Sequence, residues 1–149
     1  MRRIDQGMST IAAGLLPEVT GDNAKELRSR FRHLPIQLHG SGLAATYAFI
    51  AARSNSTSSE RLTQAYRDVA RQIRAHLADK GLVSESLVSG EEPGVHRAML
   101  SALGDMDWAT YARAGREVAV LFTWLRRLAD AVYPTSAKPA SDRSEEGDR

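Results

Sequence analysis

The chain contains no cysteine. That removes disulfide staples, thiol nucleophiles and thiolate metal sites together, and it favours a reducing, cytoplasmic setting. No long apolar run is present either: the longest, Gly42 to Ala52, is far short of a membrane span, so no membrane partner is expected. The opening Met-Arg-Arg-Ile-Asp leads into no apolar signal-peptide core. Strand patterning and internal repeats are also missing. What remains is 149 residues with 42% apolar and 26% charged side chains, enough to bury one core and too short for two.

Apolar residues return every three or four positions from the start of the chain to Tyr133, the period of one helical face. Ile4, Met8, Ile11 and Leu15 form a first stripe that ends before Pro17. Leu27, Phe31, Leu34 and Leu38 form a second, with Asp22 as the expected N-cap and Gly40 as the C-terminal stop. Its period continues through Pro35, which predicts a kink rather than a break. Leu43 to Arg53 is apolar almost all round, as expected of a short helix at the centre of a bundle.

Beyond the polar connector Ser54 to Ser59, Thr57 and Glu60 have capping-box spacing ahead of Leu62, Tyr66, Val69, Ile73 and Leu77. This helix should stop at Gly81, and Leu82 to Gly94 reads as a loop. Val95 to Leu103 is a short helix, and Asp105 or Asp107 caps the longest one, which runs to about Tyr133. The expected fold is therefore all-α, a compact bundle of about five to six helices over residues 1–133. A disordered tail, rich in Ser, Pro and charge, is expected over 134–149.

Catalytic readings fail on context. Gly40-Ser41-Gly42-Leu43-Ala44-Ala45 fits the dinucleotide pattern GxGxxA, but that chemistry needs a parallel strand on each side of the helix, and neither is credible here. A helix-to-helix corner explains the glycines better. His33, His39, His76 and His96 never fall at the spacing that puts two imidazoles on one helical face for zinc. No Ser, His and acid grouping carries a turn that would strain a nucleophile. No catalytic centre, metal or cofactor is expected.

Of the 20 cationic side chains, 17 are arginine, whose planar fork matches phosphate and carboxylate better than an ammonium does. At about 100° per residue, Lys25, Arg28 and Arg32 share a face of the second helix, and Arg67, Arg71 and Arg74 share one of the fourth. Arg113, Arg116 and Arg127 lie opposite the apolar stripe of Tyr111, Val118, Leu121, Leu125, Leu128 and Val132 on the last helix, with Trp124 at the edge of their patch. The bland alternative is a solvated face, favoured by the Arg113–Glu117 and Arg126–Asp130 spacings, which suit pairs worth about 0.2–0.5 kcal/mol. Against it, few acids interleave the first two stripes, so their fields add, as a phosphate backbone requires.

Two segments point to a family. Leu34-Pro35-Ile36-Gln37-Leu38, then Gly42-Leu43-Ala44-Ala45-Thr46-Tyr47-Ala48-Phe49-Ile50, resembles a proline-containing helix that turns through a Gly-Leu corner into a small-residue helix. Arg116-Glu117-Val118, followed by Trp124-Leu125-Arg126-Arg127-Leu128-Ala129-Asp130-Ala131, resembles the closing signature of the same family. Over roughly residues 22 to 133 the chain is similar to the small helical subunit of type III-B CRISPR effectors, the Cmr complexes. It departs from that pattern in the loop Leu82 to Gly94 and in its acidic tail.

The resemblance implies a helical bundle without nuclease activity. Copies would stack as a filament along an RNA-guided complex, beside subunits that hold the guide RNA, and would help line the groove for target RNA. Lys25, Arg28, Arg32, Arg67, Arg71, Arg74, Arg113, Arg116, Arg126, Arg127 and the partly exposed Trp124 are then the expected contacts to RNA or to neighbouring subunits. The alternative is a helical protein adaptor with no nucleic-acid role.

Overall fold

A computed structural model describes residues 4–55 and 60–133. Six α-helices are found among them: α1 (Ile4–Leu15), α2 (Gly21–Ser41), α3 (Leu43–Arg53), α4 (Glu60–Asp79), α5 (Gly94–Gly104) and α6 (Trp108–Val132). The expected capping box at Thr57 and the expected tail over 134–149 lie outside the described residues.

The longest helix, α6, is the spine, and α2 and α1 pack on it most extensively. Its buried stripe is Ala114, Val118, Leu121, Phe122, Leu125 and Ala129. The stripe meets Leu27, Phe31 and Leu34 of α2 and Met8 and Ala12 of α1. The α3 and α4 helices close the other side with Tyr47, Ile50, Tyr66, Val69, Ile73 and Leu77, and α5 adds Met99 and Leu103. Tyr133 at the end of α6 donates its hydroxyl to the Pro17 carbonyl at 2.6 Å, which ties the α1–α2 connection to the spine.

Helix ends follow local chemistry, with some corrections to the sequence expectation. Asp22 is not the N-cap: α2 begins at Gly21, after Thr20. The helix passes through Pro35 unbroken and ends not at Gly40 but at Gly42, whose φ of 87° only glycine adopts readily. That residue also opens α3, where the Tyr111 hydroxyl accepts the Ala44 N–H at 2.9 Å. The helix N-terminus at which a pyrophosphate would sit is therefore occupied by a side chain of the same protein, and the dinucleotide reading has no structural place.

Nor is α3 buried all round, although its residues are almost all apolar. Ala45 and Ala52 face solvent, while Leu43, Thr46, Tyr47, Ile50 and Ala51 are buried. Alanine at the outward positions reflects helix preference as much as burial. At the end of α4, Gly81 N–H bonds Ala78 and Leu82 N–H bonds Leu77, the paired Schellman pattern with glycine in the left-handed position. The loop after it contains a short 3₁₀ turn, Glu85–Leu87. Asp107, rather than Asp105, caps α6 by accepting the Thr110 N–H at 2.8 Å. That backbone donor, followed by the Thr110 side chain, holds the Asp107 carboxyl below the ordinary aspartate range.

Candidate nucleic-acid interface

The α2 stripe survives as a groove. Lys25, Arg28, Ser29, Arg32, His33 and Ile36 of α2 and Arg126 of α6 line a depression of about 350 Å³ between the two helices. Asp130, one turn beyond Arg126, faces α2: a single carboxylate oxygen lies 3.2 Å from Arg28 Nη2 and 3.6 Å from Arg32 Nε. The expected Arg126–Asp130 pair is therefore replaced by a cross-helix clamp. Four cations face one carboxylate here, which leaves an excess of three positive charges. Arg28 Nε is buried with no partner among the described residues.

The α4 stripe does not survive. Arg74 is 3% exposed; its Nε donates to the Leu87 carbonyl at 2.8 Å and its Nη1 to the Tyr47 hydroxyl at 2.9 Å. It points inward because the loop after α4 folds back over that face and supplies the carbonyl. The Tyr47 hydroxyl in turn meets His96 Nδ1 at 2.8 Å, and His96 Nε2 lies 3.2 Å from Glu92. Every link is satisfied with the His96 proton on Nε2, where it donates to Glu92 while Tyr47 donates to Nδ1. Burial pushes the Tyr47 hydroxyl up, with the Arg74 hydrogen bond pulling it partly back.

Arg67 and Arg71 are also matched by acids. Arg67 sits 3.4 Å from Glu92 and donates to the Ser54 carbonyl at 3.2 Å, and Arg71 lies 3.9 Å from Asp68. A cleft of about 780 Å³ opens between these arginines and residues 88–93, but Glu91 and Glu92 stand on its far wall. Glu92 from a distant segment and Asp68 from the preceding turn thus offset a charge run that looks unopposed along the helix.

On the outer face of α6, Arg113, Arg116 and Arg127 are exposed and make no ion pair among the described residues. The expected Arg113–Glu117 pair is absent because Glu117 turns to α4, where its Oε1 lies 2.7 Å from His76 Nε2. Trp124 is half-buried against the core, with the Arg127 guanidinium 5.4 Å from its ring centre. The most exposed aromatic is instead Trp108, at 83%, which projection of the helix faces does not single out. Val132, expected on the buried stripe, is 61% exposed.

Trp108 shares a helical face with Ala112, Gly115 and Ala119. These three line an apolar cleft of about 580 Å³ against Pro35, Leu38 and Leu43. The sequence signal for Trp108 is its position immediately after the N-cap aspartate, ahead of the first turn that the core can cover.

Among the described residues no group of three or more His, Asp or Glu side chains is placed to hold a metal ion, and no helix is long and apolar enough to cross a membrane. No curated protein and no solved structure matches the chain. A family model described as CRISPR-associated protein (Cas_Cmr5) matches residues 4–132, nearly the whole of the helical body. The chain belongs to this CRISPR-associated family, whose members are subunits of the Cmr complex.

Proposed function

We propose that the chain is a non-catalytic structural subunit of a type III-B Cmr effector, working in the cytoplasm. It lays the α2–α6 groove along the sugar-phosphate backbone of guide or target RNA and stacks on copies of itself through its apolar surface. One observation carries the RNA part: among the described residues, the groove keeps an excess of three positive charges after the one carboxylate paired there has been shared between two arginines. Such a surface gains affinity from counterion release and holds a strand without reading its sequence. The α4 face, with acids matched to its cations, has no comparable excess and suits contact with protein.

The test is a salt titration of single-stranded RNA binding, read by fluorescence anisotropy on the chain and on the assembled complex. Lys25→Ala with Arg32→Ala should flatten the plot of log affinity against log salt by about 0.7 for each phosphate no longer neutralised. Arg67→Ala with Arg71→Ala should leave the slope unchanged. Equal slopes for all three proteins would refute the groove.

An adaptor without RNA contact is the second reading, and Trp108 with its cleft favours it. Exposed tryptophans beside apolar clefts are frequent anchors of protein interfaces. Recovery of the tagged protein from its native host with effector subunits and short CRISPR RNAs, abolished by Trp108→Ala but kept on Lys25→Ala with Arg32→Ala, would favour the adaptor.

A further inference from the structure

The ridge of α2 formed by His33 and Ile36 borders the cationic groove on one side and a second depression on the other. The second one, of about 300 Å³, lies between α2, α3 and α4, and Arg30, Gln37, Phe49, Arg53 and Tyr66 complete its lining. Its walls are aromatic and aliphatic. Phe49 and Tyr66 meet edge to face, with ring centres 6.3 Å apart. Ile36 is 59% exposed at the rim, an apolar side chain with no packing purpose inside the bundle.

Hydrogen-bond donors surround these walls, and acceptors are scarce. The Arg53 guanidinium lies 5.0 Å above the Phe49 ring centre and makes no ion pair among the described residues. Arg30 is committed to Glu26 at 2.8 Å. The Tyr66 hydroxyl is buried beside Arg30, which interacts with it as well as with Glu26 but makes no well-formed hydrogen bond to it, so its own proton has no acceptor among the described residues. A buried hydroxyl whose proton lacks an acceptor is costly, and with a cationic donor as its neighbour an acceptor is what it lacks.

A small pocket with flat apolar walls, a stacked guanidinium and unspent donors fits a planar heteroaromatic ring bearing carbonyl or ring-nitrogen acceptors. A carboxylate side chain would meet the donors and leave the Phe49 and Ile36 walls unused. Because the pocket and the groove share His33 and Ile36, one nucleotide can place its phosphate on one side of the ridge and its ring on the other. We propose that the depression between α2, α3 and α4 receives a single nucleobase from an RNA strand whose phosphates run in the adjoining groove. This rests on the RNA reading above and adds to it a fixed point where one base leaves the stack.

The experiment separates the two claims by using free nucleosides, which carry no phosphate. Amide shifts of the full chain are followed by NMR during titration with uridine, with adenosine and with acetate as a carboxylate probe. Expected are saturable nucleoside shifts at residues 33–37, 49–53 and 66, unchanged within twofold by Lys25→Ala with Arg32→Ala. Tyr66→Phe, which removes only a hydroxyl whose one polar neighbour, Arg30, keeps Glu26, and so should fold, should weaken nucleoside binding about two- to tenfold, and Ile36→Ser should weaken it as well. Nucleoside shifts with no RNA binding by the groove would support the pocket and refute the phosphate reading. RNA binding with no nucleoside shifts at the pocket would overturn the inference, as would saturation by acetate alone.

Discussion

Arg74→Ala is the sharpest test of how the α4 arginines divide between architecture and surface. The side chain is buried and donates to Leu87 O at 2.8 Å and to Tyr47 Oη at 2.9 Å. Hydrogen bonds from a charged donor are worth about 1.5–3 kcal/mol each. Part of that returns when a buried guanidinium no longer has to be desolvated, while truncation also leaves a void. Tyr47 retains His96, but the Leu87 carbonyl loses its side-chain donor. The net expectation is a destabilisation of about 3 kcal/mol.

Urea unfolding followed by circular dichroism at the helical minimum measures it, with Arg71→Ala, an exposed neighbour on the same stripe, as the control expected within about 0.5 kcal/mol of the parent. The destabilisation should persist in high salt, because buried partners are screened far less than surface ones. A value below about 1 kcal/mol, or one that vanishes with added salt, would show that Arg74 is not held as described and would return it to the outward stripe.

Asp130→Asn should free Arg28 and Arg32 together and raise the positive excess of the groove from three to four. RNA binding should tighten at low salt, with a slope steeper by up to about 0.7; weaker binding would show that the clamp organises the groove instead of limiting its charge. Burial raises the hydroxyls of Tyr47 and Tyr66 and pushes Tyr133 up to about 12. Since the unfolded chain then releases these protons first, stability should be full below about pH 10 and fall as pH rises from there through the folded-state values. Tyr133→Phe should reduce that alkaline loss in urea midpoints taken at constant ionic strength, and an unchanged pH profile would refute the assignment. Trp108→Ala should leave the melting temperature nearly unchanged while lowering recovery of partner subunits in co-purification, because an 83% exposed ring packs little within its own chain.

The helices were legible in the sequence because their information is local. Leu62, Tyr66, Val69, Ile73 and Leu77 announce α4 by spacing alone, and all five are buried. Proline at position 35 disturbs the period of α2 too little to end it. Boundaries shifted where the deciding partner is remote or where glycine geometry competes: Gly42, not Gly40, takes the left-handed position, and a hydroxyl from residue 111 completes the start of α3.

The site was less legible, because projecting a single helix reports which side chains share a face and not what faces them. Asp130 pairs with two cations of another helix, Glu92 reaches Arg67 across the bundle, and Leu87 draws Arg74 inward. None of these partners is near its arginine in sequence. The pairs that i, i+4 spacing does suggest on α6 fail for the same reason. Glu117 finds His76 and Asp130 finds α2, each exchanging a weak surface pairing for a cross-helix one.

This redistribution has a directional consequence. On α4, Glu92 from another segment and Asp68 from the helix itself meet Arg67 and Arg71 while Arg74 is buried, whereas the Lys25, Arg28 and Arg32 stripe of α2 receives a single carboxylate, already shared. A polyanion approaching the bundle therefore meets an uncompensated surface along the α2–α6 groove, and at the outer arginines of α6 beyond it. On the proposed function, a subunit that touches RNA as well as protein benefits from that asymmetry, because charge spread evenly around the bundle would let a flexible strand settle in many registers. Concentrating excess charge in one groove would favour one path for the strand, and the cost is small: Asp130 holds the groove arginines in place while cancelling only one of four cations. On this argument a carboxylate added at Ser29, in the centre of the groove, should harm RNA binding more than one added at the exposed Gln64 of α4. Both variants carry the same net charge, so anisotropy titrations of Ser29→Glu and Gln64→Glu in one buffer compare position alone. Equal losses of affinity would mean that net charge, not its arrangement, governs the interaction.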